Sequence, residues 1–122
     1  MIAAHFEALR DHALALPEAI EEFPWGHSAI KVRGKTFLFL NQSEDELSLS
    51  VKLPASRDFA LIFDWAEPTG YGLGRSGWVT ACFGAGDEPN LDLIRRWIVE
   101  SYKAIAPKTL GRMVAVDEAD AS

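Results

Sequence analysis

The sequence has little of what commits a small protein to a disulfide scaffold or to a membrane. Cys82 is the single cysteine among 122 residues, so no disulfide can form within the chain, which is typical of a reducing compartment. No apolar run approaches the roughly 18–20 residues that a membrane helix needs. The N-terminus also has no basic segment followed by an apolar run, as a signal peptide would. We therefore expect a cytoplasmic protein that does not enter a membrane.

Positive charge is also scarce. The 12 Lys and Arg residues stand against 18 Asp and Glu residues, which gives a formal net charge of -6. Affinity for nucleic acid comes mostly from neutralised phosphates, so an acidic chain can bind it only where its cations gather on one face. The apolar content of 48% and the aromatic content of 11% exclude a disordered chain. We expect residues 1–116 to form one domain and residues 117–122 to form a frayed acidic tail.

Hydrophobic spacing predicts the order of the helices and strands. Helices are predicted at residues 2–16, 54–65 and 91–105, the last capped by Asn90, with a short final turn at 108–116. Strands are predicted at residues 19–25, 29–33, 36–40, 46–53, 69–73 and 78–83. Because short turns join most of the strands, we expect a mainly antiparallel sheet of about six strands in the order α-β-β-β-β-α-β-β-α. With the helices covering one face, the fold class is α+β.

Strict alternation along the strands predicts which side chains share a face of this sheet. Ile30, Val32, Phe37 and Phe39 are expected on one face, and the helices are expected to cover the face that carries Leu47, Leu49 and Val51. The opposite, wet face is expected to carry Lys31, Arg33, Leu38, Leu40, Ser48, Ser50 and Lys52.

Several short pieces occur in a fixed order along nearly the whole chain. They are Leu16-Pro17, residues 21–26, residues 31–37, residues 47–52, Trp78 and Glu100-Ser101-Tyr102. In this order they resemble the MmcQ/YjbR-like protein family. The resemblance implies a CyaY-like α+β domain. It also implies DNA binding, which such domains are assigned by analogy with a double-wing arrangement of hairpins.

Cations on the wet face and at the hairpin tips form the candidate contact surface for nucleic acid. Alternation puts Lys31 and Arg33 on one side, and phosphates bind such side chains while an aromatic ring stacks on a base. The tentative nucleic-acid-binding residues are Lys31, Arg33, Lys35, Lys52, Arg75 and Trp78. The plainer alternative is an ordinary solvated face whose cations are paired with acids.

A second hypothesis is a surface for a protein partner, a homodimer or a small molecule. Its apolar centre would be Leu38 and Leu40 on the wet face, together with Trp25. Trp25 and His27 also form a tentative pocket at a strand end, for which the alternative is a packed tryptophan and an exposed loop histidine.

No constellation in the sequence predicts catalysis, a metal or a cofactor. His5 and His12 share one side of the first helix, but no third metal ligand accompanies them. Cys82 has no activating base nearby in the sequence and is expected to be a buried structural thiol. We therefore predict a non-enzymatic binding module, because an enzyme would need two titratable groups that the fold brings together.

Overall fold

The computed structural model describes residues 2–23, 27–70 and 73–114 of the chain. Its helices are α1 (Ile2–Leu14), α2 (Arg57–Ala60), α3 (Leu91–Ile105) and α4 (Lys108–Met113), and a 3-10 helix covers Leu73–Ser76. Its strands are β1 (Ile20–Glu22), β2 (Ser28–Val32), β3 (Lys35–Gln42), β4 (Glu46–Lys52), β5 (Ala66–Pro68) and β6 (Trp78–Gly84). The tail predicted at 117–122 lies outside the described residues.

The six strands form one antiparallel sheet in the order β1-β2-β3-β4-β6-β5. Helices α1 and α3 pack on each other and on the face formed by β3 and β4. The predicted α+β class and the antiparallel sheet are therefore confirmed. Asn90 caps α3 as predicted, because its side chain accepts a hydrogen bond from the N–H of Leu93 at 3.1 Å.

The core lies between the sheet and these two helices. In β4, Leu47, Leu49 and Val51 are buried and alternate with partly exposed polar residues, as the sequence predicts. The helices meet this face with Leu9 and Ala13 of α1 and with Ile94, Ile98 and Tyr102 of α3. The apolar spacing of four residues places each of these sets on one helix face.

A β-bulge in β3 changes the predicted alternation. Ile30 pairs with Leu38, but the next residue of β2, Lys31, pairs with Thr36, so Phe37 is an extra residue in β3. An inserted residue shifts the period-two pattern by one position, which sequence alternation alone cannot reveal.

The shift moves two leucines from the wet face into the core. Leu38 and Leu40 are 0% and 1% exposed, whereas Phe39, predicted to share a face with Phe37, is 36% exposed on the opposite side of the sheet. The predicted apolar interface centred on Leu38 and Leu40 is therefore wrong, because both side chains are part of the core.

Arg33 does not lie on a sheet face either. Arg33 and Gly34 form the two-residue turn between β2 and β3, and both have positive φ angles, 52° and 81°. Such a turn matches the twist of a hairpin, and glycine takes the conformation without strain. The side chain of Arg33 consequently projects from the hairpin tip.

The segment between β4 and β6 also differs from the prediction. Helix α2 ends at Ala60, and the next edge strand is β5 instead of a strand at 69–73. After α2 the chain turns, so that Phe63 stacks on Trp65 at 4.5 Å between ring centroids, and Trp65 contacts Phe83 and Trp97. This ring packing overrides a helical tendency that is worth only tenths of a kcal/mol per residue.

The Ser101 hydroxyl completes the β3–β4 pairing at the bulge. The register that pairs Leu38 with Val51 would place Phe37 opposite Lys52. There the N–H of Lys52 donates to Ser101 Oγ at 2.8 Å, and the same hydroxyl donates to the carbonyl oxygen of Phe37 at 2.6 Å. Ser101, which is fully buried, thus bridges two backbone groups across the end of the strand pair.

The residues on either side of Ser101 fix α3 to other parts of the chain. The Glu100 carboxylate accepts hydrogen bonds from the N–H groups of Ala55 and Ser56 and from the Ser56 hydroxyl, at 2.6–2.9 Å. The Tyr102 hydroxyl donates to the carbonyl oxygen of Pro17 at 2.7 Å. Glu100, Ser101 and Tyr102 therefore anchor α3 to the segment between β4 and α2, to the sheet and to the α1–β1 connection.

We predict that Ser101→Ala destabilises the fold by about 1–3 kcal/mol, because it leaves a buried N–H and a buried C=O without partners. Urea unfolding followed by tryptophan fluorescence measures the loss. Ser48→Ala is the matched control, since Ser48 lies on the outer side of β4 and its hydroxyl makes no hydrogen bond in the described part of the chain. Equal stability of the two variants would contradict the role of Ser101.

Helix α1 contributes a partly buried histidine. The Nε2 atom of His12 is buried without a hydrogen-bond partner among the described residues. Burial lowers the pKa of His12, and the nearby charge of Arg95 lowers it further. The folded protein therefore favours the neutral imidazole.

The lowered pKa of His12 predicts a pH-dependent stability. Between the folded pKa and the unfolded value near 6.5, the unfolded chain binds a proton that the folded chain does not, so the free energy of unfolding falls as the pH drops below about 6.5. Thermal unfolding at a series of pH values from about 7.5 to about 5 measures this fall. His12→Gln should flatten the profile, and the control His27→Gln, at an exposed position, should retain it.

Candidate basic end and outer sheet face

The outer face, defined as the side of the sheet turned away from α1 and α3, is mostly polar. The strand register places on it Lys31, Thr36, Phe39, Ser48, Ser50, Lys52, Trp78, Thr80 and Cys82. The hydroxyl of Thr80 makes hydrogen bonds with those of Ser50 and Thr69 at 2.7 and 2.9 Å. These hydroxyls satisfy one another across three neighbouring stretches of chain.

Trp78 occupies this face but is 7% exposed. Its ring packs against Phe39 with a centroid distance of 5.7 Å, and its backbone position pairs with Lys52. The covered ring leaves little surface for a nucleic-acid base, which must lie flat on an aromatic side chain. Phe39 is the more exposed aromatic side chain of the pair.

Two of the predicted cations are neutralised by acids. Lys31 Nζ lies 2.9 Å from a carboxylate oxygen of Glu22. Arg33 donates two hydrogen bonds to Glu18, at 2.5 and 2.9 Å, and these bonds lower the pKa of the Glu18 carboxyl. The sequence separation of these partners explains why alternation along one strand did not reveal them.

The other three predicted cations gather at one end of the sheet. Lys35 begins β3, Lys52 ends the neighbouring strand β4, and Arg75 lies in the 3-10 helix just before β6, whose first residue pairs with Lys52. None of the three forms an ion pair within the part of the chain that the structure describes. We refer to Lys35, Lys52 and Arg75 as the basic end.

Acids gather at the opposite end of the sheet. They occupy the β3–β4 turn, the first position of β4 and the loop after β6, and all are exposed: Glu44, Asp45, Glu46, Asp87 and Glu88. The two segments adjoin at Gly84, the last residue of β6. A Cβ atom built on this glycine would lie 3.6 Å from Asp87 Oδ2 and 4.0 Å from the carbonyl oxygen of Asp45. We refer to these five residues as the acidic end, which lies at the opposite end of β3, β4 and β6 from the basic end.

The pocket predicted at Trp25 and His27 stays a prediction. Trp25 lies outside the described residues. His27 is exposed in the bend before β2. It lines neither the cavity of about 520 Å³ beside the aromatic cluster nor the groove of about 500 Å³ beside α3.

The described ranges contain neither a candidate metal site nor a candidate membrane-spanning helix. Residues 2–23, 27–70 and 73–114 contain no group of three His, Cys, Asp or Glu side chains placed to hold a metal ion. No helix in those ranges is both long enough and apolar enough to cross a bilayer.

Comparison with known proteins supports the resemblance seen in the sequence. The family model named YjbR matches residues 14–104, well over half of the chain. This chain belongs to the YjbR family. No curated protein matches it.

Three residues from the pieces that carry the family resemblance, Pro17, Glu21 and Ser101, make structural contacts in this YjbR domain. Pro17 and Ser101 make the hydrogen bonds described above. Glu21 binds Arg10 of α1 through three short contacts of 2.6–2.9 Å and accepts a hydrogen bond from Ser28 at 2.6 Å. The Arg10 guanidinium lowers the pKa of the Glu21 carboxyl, although partial burial opposes it. The contacts of Glu21 therefore join α1, β1 and β2.

Cys82 differs from its predicted environment. It lies on the outer face opposite Ser48 and is only partly buried, while its neighbours Ala81 and Phe83 point into the core. Partial burial raises the pKa of the Cys82 thiol, and the charges of Glu46 and Glu67 raise it further. The thiol is therefore accessible in part but weakly nucleophilic, since the thiolate is the reactive form.

We predict that Cys82 reacts with Ellman's reagent several-fold more slowly than free cysteine at about pH 8. Glu67→Gln should increase the rate because it removes a charge that opposes ionisation. Asp58→Asn is the charge-matched control and should leave the rate unchanged, because Asp58 lies on α2 and does not contribute to the shifted pKa. A rate in the wild-type protein equal to that of free cysteine would contradict the raised pKa.

Proposed function

We propose that this YjbR-family domain is a non-enzymatic module that binds nucleic acid through its basic end. The observation that carries the proposal is the grouping of Lys35, Lys52 and Arg75, which have no acidic partner in the described residues. Unpaired cations bind phosphate without first losing an internal ion pair. The DNA-binding role implied by the family resemblance is consistent with this arrangement.

The net charge of -6 does not prevent such binding. Strand β4 has seven residues and separates the two ends by about 20 Å. The screening length at physiological ionic strength is about 8 Å, so a phosphate at the basic end is largely screened from the acidic end. At lower ionic strength, the separated charges favour an approach with the basic end towards the polyanion.

The chemistry of the basic end favours contact with the backbone over reading of the sequence. Base recognition needs side chains that reach base edges, or exposed aromatic rings. Trp78, whose strand position pairs with Lys52, is covered and offers no ring surface for base stacking. We therefore propose binding without strong sequence preference, with single-stranded and duplex nucleic acid both as ligands.

The cellular location forms part of the same proposal. A single, partly exposed thiol with a raised pKa is compatible with a reducing compartment, where nucleic acid is also present. We therefore propose that the protein acts in the cytoplasm.

We predict weak binding that falls steeply with salt. Three phosphate contacts to duplex DNA give a slope of log K against log salt concentration of about -3. Fluorescence anisotropy of labelled duplex and single-stranded DNA, from low salt to about 0.15 M, measures this slope. Arg75→Ala should make it shallower by about one.

The matched control for this experiment is Arg95→Ala. Arg95 pairs with Asp92 in the first turns of α3, away from the basic end, and its loss should leave the slope unchanged. No binding at low salt, or binding that salt does not weaken, would refute the nucleic-acid proposal.

A further inference from the structure

An open apolar groove lies between α3 and the connection from β4 to α2. Its floor consists of Pro54, Ala55, Val99 and Ala104, and it has a volume of about 500 Å³. Arg96 and Lys103, both exposed, flank it. Because they are seven residues apart, they lie on one side of α3 and about 10 Å apart along its axis.

Glu100, which also lines the groove, lies between these two cations on α3, but its carboxylate is directed to the segment between β4 and α2. It is four residues after Arg96 and three before Lys103, spacings at which acids and bases on a helix normally pair. Both of its carboxylate oxygens instead accept hydrogen bonds from Ala55 and Ser56. Arg96 and Lys103 consequently have no ion pair within the described ranges.

We propose that this groove binds an amphipathic organic anion, a small molecule with an apolar body and a carboxylate, sulfonate or phosphate group. The apolar floor removes the body of such a ligand from water, and Arg96 or Lys103 pairs with its charged group. The volume falls within the range of small-molecule sites, about 300–1,000 Å³.

The charge of the groove argues for an anion over a neutral ligand. The groove lining carries two cations against one acid, and the carboxylate of that acid is held by Ala55 and Ser56. The site lies on the helix side of the domain and uses none of Lys35, Lys52 and Arg75. The inference therefore does not depend on nucleic-acid binding at the basic end.

The test uses 8-anilinonaphthalene-1-sulfonate as the probe and N-phenyl-1-naphthylamine as its uncharged counterpart. Titration of the ¹⁵N-labelled protein by NMR should show saturable shifts at the backbone amides of Ala55, Val99 and Ala104. The sulfonate should bind about tenfold more tightly than the uncharged compound, because only the sulfonate can pair with the cations. Equal affinity of the two compounds would overturn the proposal, as would shifts confined to other parts of the domain.

Two variants give independent evidence. Arg96→Glu should weaken sulfonate binding about tenfold. Arg95→Glu makes the same charge change one residue earlier, at a side chain that pairs with Asp92, and should not weaken it. Ala104→Trp, at an exposed helix position, should block the groove without changing any charge. Loss of affinity in both arginine variants alike, or in neither, would overturn the proposal.

The two proposals can fail separately. Arg75→Ala should reduce the salt dependence of DNA binding without changing the affinity for the sulfonate. If instead the sulfonate bound at Arg75, its shifts would lie near the 3-10 helix, and the groove would be excluded as its site.

Discussion

The fold depends on one buried hydroxyl at the point where two central strands stop pairing. The bulge at Phe37 carries β3 out of register with β2, and at the same place its pairing with β4 is completed by Ser101 of α3. A helix side chain that takes part in a strand pair fixes both the depth and the axial position of its helix. The adjacent ring of Tyr102 packs edge-on against Phe37, with the ring centroids 5.2 Å apart.

The placement of α3 also determines one of the two candidate sites. Glu100 holds the approach to α2 because Ser101 sets the height of α3, and an acid engaged there cannot pair with Arg96 or Lys103. The basic end is built by the hairpin geometry instead: antiparallel pairing brings the start of β3, the end of β4 and the segment before β6 together. Residues that hold the fold together thus determine which charged side chains are left without an ion pair.

The local sequence pattern was sufficient to predict the elements whose form depends on residues only a few positions apart. The stripes of α1 and α3, the Asn90 cap and the alternation in β4 follow from spacing alone. The bulge, the end of α2 and the position of β5 depend on contacts with distant rings and hydroxyls, and no window of sequence contains both partners. The same holds for the site: the cations were visible, but the ion pair of Arg33 spans 15 residues, and Glu100 meets partners 44 and 45 residues away.

The Ser101 bridge also sets an order of events during synthesis. Its hydroxyl joins α3 to backbone groups that precede it by 64 and 49 residues, so the β3–β4 hairpin leaves the ribosome long before its partner does. Until α3 emerges, these two backbone groups of the hairpin can bond only to water and its apolar face is uncovered, the state in which nascent chains are most prone to associate. The nascent domain can therefore close its core only when nearly all of it has been translated.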